Sequence, residues 1–198
     1  MKSHLVIRNN VVQSSGVLGA IQIGDKMIVL TNPSEVLANN DELTFDINVR
    51  GKILTDQAYT KVLSSSNVKI SVNMEMEDSS YFPHPVLFYN NANFEMVTEI
   101  RSKGKNSVVE AFILGRRGSG EKFVKGKINA ITKIYSEHGL IAYDVFRVND
   151  EDYLDLIGND ALLTVYYIED GELASFTREI LSYKDVFKEW SKITGIWF

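Results

Sequence analysis

Asn67-Val68-Lys69-Ile70-Ser71-Val72-Asn73-Met74-Glu75-Met76-Glu77 decides the fold class. Val68, Ile70, Val72, Met74 and Met76 fall on one side of an extended chain, and Lys69, Ser71, Asn73, Glu75 and Glu77 on the other. Successive strand side chains point to opposite faces, so this period of two sets one face on a core and the other in water. The spacing recurs on both sides of the stretch. Leu43, Phe45, Ile47 and Val49 alternate with Thr44, Asp46 and Asn48, and Phe94, Met96, Thr98 and Ile100 with Glu95, Val97, Glu99 and Arg101. Val124, Gly126, Ile128, Ala130, Thr132 and Ile134 alternate with Lys125, Lys127, Asn129, Ile131, Lys133 and Tyr135. One dry face and one wet face is the habit of antiparallel sheets, so the pattern predicts mainly antiparallel strands. Val108–Leu114, Leu140–Val148 and Leu162–Ile168 are more continuously apolar and are expected to be central strands. Pro33, Pro83 and Pro85 lie outside all these runs, as a hydrogen-bonded ladder requires.

The turns agree. Arg50-Gly51-Lys52, Lys103-Gly104-Lys105, His138-Gly139 and Asp170-Gly171 each separate two strand-like runs. Many strands with short returns predict an all-β fold, a single domain over residues 1–198. No exact internal repeat is visible, yet successive hairpins of similar length suit an elongated stack of strands as well as a sandwich. Helix signals are confined to the C-terminal quarter. Ser182-Tyr183-Lys184-Asp185 resembles a capping box, Val186, Phe187, Trp190 and Ile193 form one apolar stripe, and Gly195 ends it. A shorter helix is expected over Asp150–Ile157, capped by Asn149 and ended by Gly158. The tail Gly195-Ile196-Trp197-Phe198 either folds back on the core or forms an aromatic patch for a partner.

Composition excludes several functions. The 198 residues carry a net charge of −5 and no cysteine. Disulfides, thiolate zinc sites and a cysteine nucleophile are therefore ruled out, and bulk nucleic-acid binding, which leaves a basic footprint, is not expected. No apolar run approaches the roughly 20 residues of a membrane span. The opening Met1-Lys2-Ser3-His4 leads into no cleavage-site pattern, so no signal peptide is expected and the cytoplasm is the expected compartment. The charge is uneven. Residues 101–133 carry nine Lys or Arg against Glu110 and Glu121, whereas residues 149–172 carry eight acids and no Lys or Arg. Such patches are solvated faces or surfaces that orient protein partners.

Catalytic chemistry is not in view. Gly115-Arg116-Arg117-Gly118-Ser119-Gly120-Glu121-Lys122-Phe123 has the glycine spacing of a phosphate loop, but Glu121 and Lys122 stand where Lys and Ser or Thr are needed. No helical pattern follows it to meet an anion. His4, His84 and His138 are scattered, and no nucleophile elbow or dinucleotide fingerprint occurs. The chain reads as a protein that binds rather than catalyses.

Four stretches, in order, carry a resemblance. Asn40-Asp41-Glu42-Leu43-Thr44-Phe45-Asp46-Ile47 is similar to a family G-G-D-x-L and its strand. Leu54-Thr55-Asp56-Gln57-Ala58-Tyr59-Thr60-Lys61-Val62-Leu63 resembles T-T-Q-x-x-T-K-V-Y. Phe82-Pro83-His84-Pro85-Val86-Leu87-Phe88 and onward to Phe94 resembles P-x-P-V-I-P-F-x-x-A-x-F. Glu110-Ala111-Phe112-Ile113-Leu114-Gly115-Arg116 through Gly120-Glu121-Lys122-Phe123 resembles E-x-x-x-x-G-R-x-x-x-G-E-x-F. The chain thus resembles the urease accessory protein UreD/UreH family from about residue 25 onward, as a short and divergent member. Ser34-Glu35 and Asn39-Asn40 replace glycine pairs, Phe88 replaces a proline, and the shortening falls between Val148 and Leu162.

The resemblance implies a stacked, superhelical β scaffold with one or two short C-terminal helices. It implies no catalysis of its own, and partnership with UreF, the GTPase UreG and apo-urease in delivering nickel. It also implies no tightly bound cofactor, with nickel only in transit. Asp41, Glu110 and Asp144 match family acidic positions and, with His84, are the candidate nickel ligands. Without cysteine, a tight transition-metal site is not expected. Gln57, Thr60, Lys61, Pro83, Pro85, Gly115, Arg116, Gly120, Glu121 and Phe123 are the family-motif residues, read first as architecture, with Arg116 and Glu121 pairing across their turn. Gln57, Thr60 and Lys61 alternatively form an edge facing urease or UreF. Phe187, Trp190, Ile193 and Trp197 are the candidate UreF-binding stripe. The rival reading is a stand-alone β-sandwich that binds a small molecule or carbohydrate, with Tyr135, Tyr143, Tyr166 and Tyr167 lining its pocket.

Overall fold

The computed structural model describes residues 1–33, 36–151 and 160–197. Its strands are β1 (Lys2–Arg8), β2 (Val11–Ser15), β3 (Gly19–Ile23), β4 (Met27–Thr31), β5 (Val36–Leu37), β6 (Asp41–Arg50), β7 (Ile53–Asp56), β8 (Thr60–Val62) and β9 (Asn67–Glu77). There follow β10 (Ser80–Phe82), β11 (Val86–Phe88), β12 (Asn93–Lys103), β13 (Asn106–Leu114), β14 (Gly126–Ser136), β15 (Gly139–Asp150), β16 (Ala161–Glu169) and β17 (Glu172–Leu181). The helix α1 (Tyr183–Thr194) closes the chain.

The all-β stack is as expected; the pairing direction is not. Among the described residues, β6, β9, β12 and β14 lie side by side in parallel, and so do the short strands β4, β7 and β10 opposite them. Each turn of the stack is one long strand followed by two short ones, β6-β7-β8 and then β9-β10-β11. Like residues meet about 27 positions apart, as in Asp46 with Asn73, Asn40 with Asn67 and Ser80 with Ser107. In β12 and β13 the two short strands fuse, so β13 pairs with β10 at one end and β11 at the other. Antiparallel pairing is kept for the ends, in β1 with β2, β3 with β4, β14 with β15, and β13-β16-β17. Alternation predicts strands equally well in either direction, and here it does not report direction. The outer face of the β15-β14-β12-β9-β6-β1-β2 sheet stays wet although its centre is parallel.

Of the three continuous apolar runs, two are central as expected. β13 and β16 each pair on both sides, and both are buried along nearly their whole length. Leu140–Val148 is corrected: β15 is the edge of its sheet and mostly exposed or half-buried. The inner faces of the two sheets enclose one core, with Val108 and Phe112 facing Ile70, Val72 and Met96. The other face of β13, through Val109, Ala111 and Ile113, packs with Leu163, Val165, Val186 and Trp190 under α1. Core on both faces is why β13 lacks alternation.

The helix starts and stops where its sequence says. The Ser182 hydroxyl accepts from the Asp185 backbone N–H at 3.2 Å, and Gly195, at φ 71°, closes on the Ser191 carbonyl. The shorter helix expected over Asp150–Ile157 lies largely outside the described residues. Asn39 and Asn40 take φ of 46° and 66°, the left-handed geometry that the family's glycines would supply.

Candidate functional site

Between the sheets lies a cavity of about 60 Å³, room for a few water molecules. Its walls are mostly apolar, from Leu43, Val72, Met96 and Phe112, but Asp56, Tyr81, His84 and Glu110 also open onto it. Three elements set these groups there. Asp56 ends β7, and its carboxylate accepts from the His84 backbone N–H at 3.2 Å. His84 sits in the buried Phe82–Val86 connection, edge-on to Trp190 with ring centres 4.8 Å apart. Trp190 in turn donates its indole N–H to the Pro83 carbonyl at 3.0 Å. Glu110 occupies an inward position of β13 between Val108 and Phe112, so the register that buries those side chains also buries an acid.

Burial decides the ionisation of these groups, because a low-dielectric site disfavours the charged form. Desolvation pushes Asp56 up to about 7, with the His84 N–H pulling it partly back. It pushes Glu110 up to about 7 as well. The Thr132 hydroxyl, donating to Oε2 at 2.7 Å, opposes that rise, and the Asp144 charge adds to it. Oε1 of Glu110 has no hydrogen-bond partner among the described residues. His84 is driven the other way, to about 4, again by burial. Near neutral pH the cavity thus holds a neutral imidazole and two carboxyls poised between forms.

A polar path continues outward from Glu110. Thr132, which holds Glu110, faces Asp144 across the β14–β15 ladder. Asp144 accepts from the Tyr166 hydroxyl at 2.6 Å and pairs with the Arg178 guanidinium near the surface. Burial, then the charge of Glu110 and the hydrogen bond to Asp144, raise the Tyr166 phenol well above its ordinary range.

The candidate metal residues are therefore only partly brought together. His84 and Glu110 share the cavity, whereas Asp144 stands outside it, beyond Thr132. Asp41 stands apart. It accepts from the Met1 amino group at 2.5 Å and from the Ala38 N–H at 2.9 Å, which makes it a strand-end carboxylate. Among the described residues, no three His, Asp or Glu side chains cluster closely enough to hold a metal. Asp56 was not among the sequence candidates; its place inside the Leu54–Leu63 motif was the signal.

The motif residues divide in the same way. Pro83, Thr60 and Gln57 line the cavity, Gln57 from an exposed position, and Pro85 and Phe123 are buried. Gly115, at φ 86°, lets the turn fold so tightly that a Cβ there would lie 2.6 Å from the Phe123 nitrogen. Gly120 also takes a positive φ, 76°. The expected Arg116–Glu121 pair does not form; Glu121 instead accepts from the Asn90 N–H, and Arg116 lies over the Tyr89 ring. Of the C-terminal stripe, Trp190 is fully buried, Phe187 and Ile193 pack partly against the same core, and Trp197 is 75% exposed. The four tyrosines of the rival reading do not converge. Tyr166 points inward, Tyr143 and Tyr167 are exposed, and Tyr135 meets Arg101.

These features define a β-solenoid-like protein with two acids on a mostly apolar interior cavity and, among the described residues, one short α-helix. The comparison of sequences gives it a family: the chain belongs to the UreD urease accessory proteins, whose family profile matches residues 21–192. It is similar to the urease accessory protein UreD of Bacillus cereus, 30% identical over 60% of this chain and 47% of that protein. It is also similar to the urease accessory protein UreD of Polynucleobacter asymbioticus, at 26% identity over 63% of this chain and 46% of that protein. The chain thus spans about half the length of the curated relatives it matches.

Proposed function

We propose that this chain is a non-catalytic cytoplasmic scaffold that, with UreF and the GTPase UreG, delivers nickel to apo-urease, and that the ion travels through the cavity described above. The observation that supports the route is the pair of inward carboxyls, Glu110 buried and Asp56 half-buried, on one narrow cavity and both held near 7. A divalent cation entering there displaces protons from these groups, so the cavity need not carry net charge when empty. Oxygen ligands and one neutral imidazole suit nickel without the grip of thiolates, and shallow sites let an ion leave as well as enter. Asp144 and Arg178 then form the outer end of the route. The partner face is assigned to Trp197 with the exposed edges of Phe187 and Ile193, while Trp190 anchors the helix beneath them.

The test is activation of apo-urease by the purified chain with UreF, UreG and nickel. Asp56→Asn and Glu110→Gln are expected to lower activation at least tenfold while the complex still assembles; full activation by both would refute the route. Isothermal titration of the isolated chain with nickel should find no nanomolar stoichiometric site. Trp197→Ala should weaken capture by UreF with the circular dichroism unchanged, and undiminished capture would remove the tail from the interface.

A further inference from the structure

Two of the motifs read from the sequence meet on the side of the molecule away from the cavity. A groove there is lined by Tyr59 and Lys61 of the β7–β8 region, Tyr89 after β11, Arg116 and Ser119 of the glycine turn, and Tyr183 at the start of α1. Its volume is about 210 Å³. Each cation lies against a ring, Lys61 at 4.9 Å from the Tyr59 centre and Arg116 at 5.9 Å from that of Tyr89. Such stacking fixes long side chains and leaves the edge of the guanidinium exposed. Arg116 forms no ion pair among the described residues, and the hydroxyls of Tyr59, Tyr89 and Tyr183 make no hydrogen bond there. Gly118 keeps the floor open, since a Cβ on it would come within 3.1 Å of the Tyr183 hydroxyl.

We propose that this groove binds an acidic peptide segment of a partner protein, with a carboxylate taken by Arg116 and the tyrosine hydroxyls donating around it. Architecture already accounts for the turn's glycines but gives Arg116 no internal role. An exposed arginine ordered against a ring and surrounded by tyrosines is the composition of a protein-binding hot spot. The charge is complementary as well: the lining of the groove includes two cations, Lys61 and Arg116, and no acid. Neither a glycine loop with a following helix nor a buried cationic pocket is present here, so a phosphate ligand is disfavoured. This inference is independent of the nickel route.

The test uses the full chain, isotope-labelled, titrated by NMR with a hexaglutamate peptide blocked at both ends, with the matching hexaglutamine peptide, and with inorganic phosphate. Hexaglutamate should shift the signals of residues 59–61, 89, 116–119 and 183, and hexaglutamine should not. Arg116→Ala should weaken hexaglutamate binding at least tenfold, Arg116→Lys and Tyr183→Phe by severalfold. Lys127→Ala, an exposed basic residue elsewhere, and Glu110→Gln, inside the cavity, should leave it unchanged. Equal loss with Lys127→Ala, no loss with Arg116→Ala, equal binding of hexaglutamine, or a response to phosphate alone would overturn the proposal.

Discussion

The outer face of the seven-stranded sheet and the cavity behind it both carry acids, and the two regions treat them in opposite ways. Outside, Glu42 faces Lys2, Glu95 faces Lys69, and Glu99 takes the Lys133 ammonium at 2.8 Å, so each acid has a cation beside it in water. Inside, Asp56 and Glu110 are met by an N–H and a hydroxyl, and by no cation among the described residues. The outer pairs hold Glu42 below the usual carboxylate range and Lys133 above the usual lysine range, whereas burial pushes both inner carboxyls up to about 7. Stacked parallel coils readily line up complementary charges on a wet face. A lone acid in the core is expensive, and its presence needs a use other than stability.

The heaviest way to break the contrast is to remove the wall behind the cavity. Trp190 is fully buried and tied to Pro83, next to His84. Trp190→Ala should cost about 3–5 kcal/mol in urea unfolding, as large aromatic truncations in cores do. Trp190→Phe should recover most of the packing and lose the indole bond.

A smaller and more pointed change is Glu110→Gln. The folded-state value of Glu110, about 7, lies above its ordinary 4.5, so the folded chain binds an extra proton between those limits. Its contribution therefore falls as pH rises through that window and is fully unfavourable above it. Asp56 acts in the same sense between about 4 and 7. His84, lowered from 6.5 to about 4, acts in the opposite sense, costing stability as pH falls through that range. Glu110→Gln should thus stabilise the chain by up to about 3 kcal/mol at pH 8 and by little at pH 5, measured by urea unfolding at both values. Equal effects at the two pH values would contradict a buried, proton-binding Glu110.

The outer face should be the least sensitive. Lys133→Ala removes one of these solvent-screened pairs and should change stability far less than Trp190→Ala does, with salt reducing even that. A loss as large as that of Trp190→Ala would show that the outer pairs, too, hold the stack together.

Much of this was legible in advance, and the gaps have physical causes. The strands of the long sheet announced themselves because one face is in water, and the caps of α1 because their chemistry is local. Strand direction was hidden, since period two is common to parallel and antiparallel pairs. The clue lay in Asn40, Asn67 and Asn93, which bond to one another down the stack at nearly equal spacing. Glu110 was flagged by family likeness, yet only the register of β13 showed it to be inside. Asp56 reads as an ordinary turn acid; its inward setting depends on a connection some 28 residues later, itself held by a helix near residue 190. Trp190 was read as partner-facing because an apolar stripe looks the same whether it packs on its own sheet or on another protein.

In the proposed route the interior acids still hold part of their protons at neutral pH and exchange them for nickel in passage. Carbon-13 NMR of the side-chain carboxyls, titrated with and without millimolar nickel, tests it directly. Asp56 and Glu110 should titrate near 7 in the absence of metal. With nickel present, their signals should broaden and their midpoints should fall, while Glu42 and Glu99 are unaffected. Titration of both inner carboxyls near 4, with no response to nickel, would contradict the account.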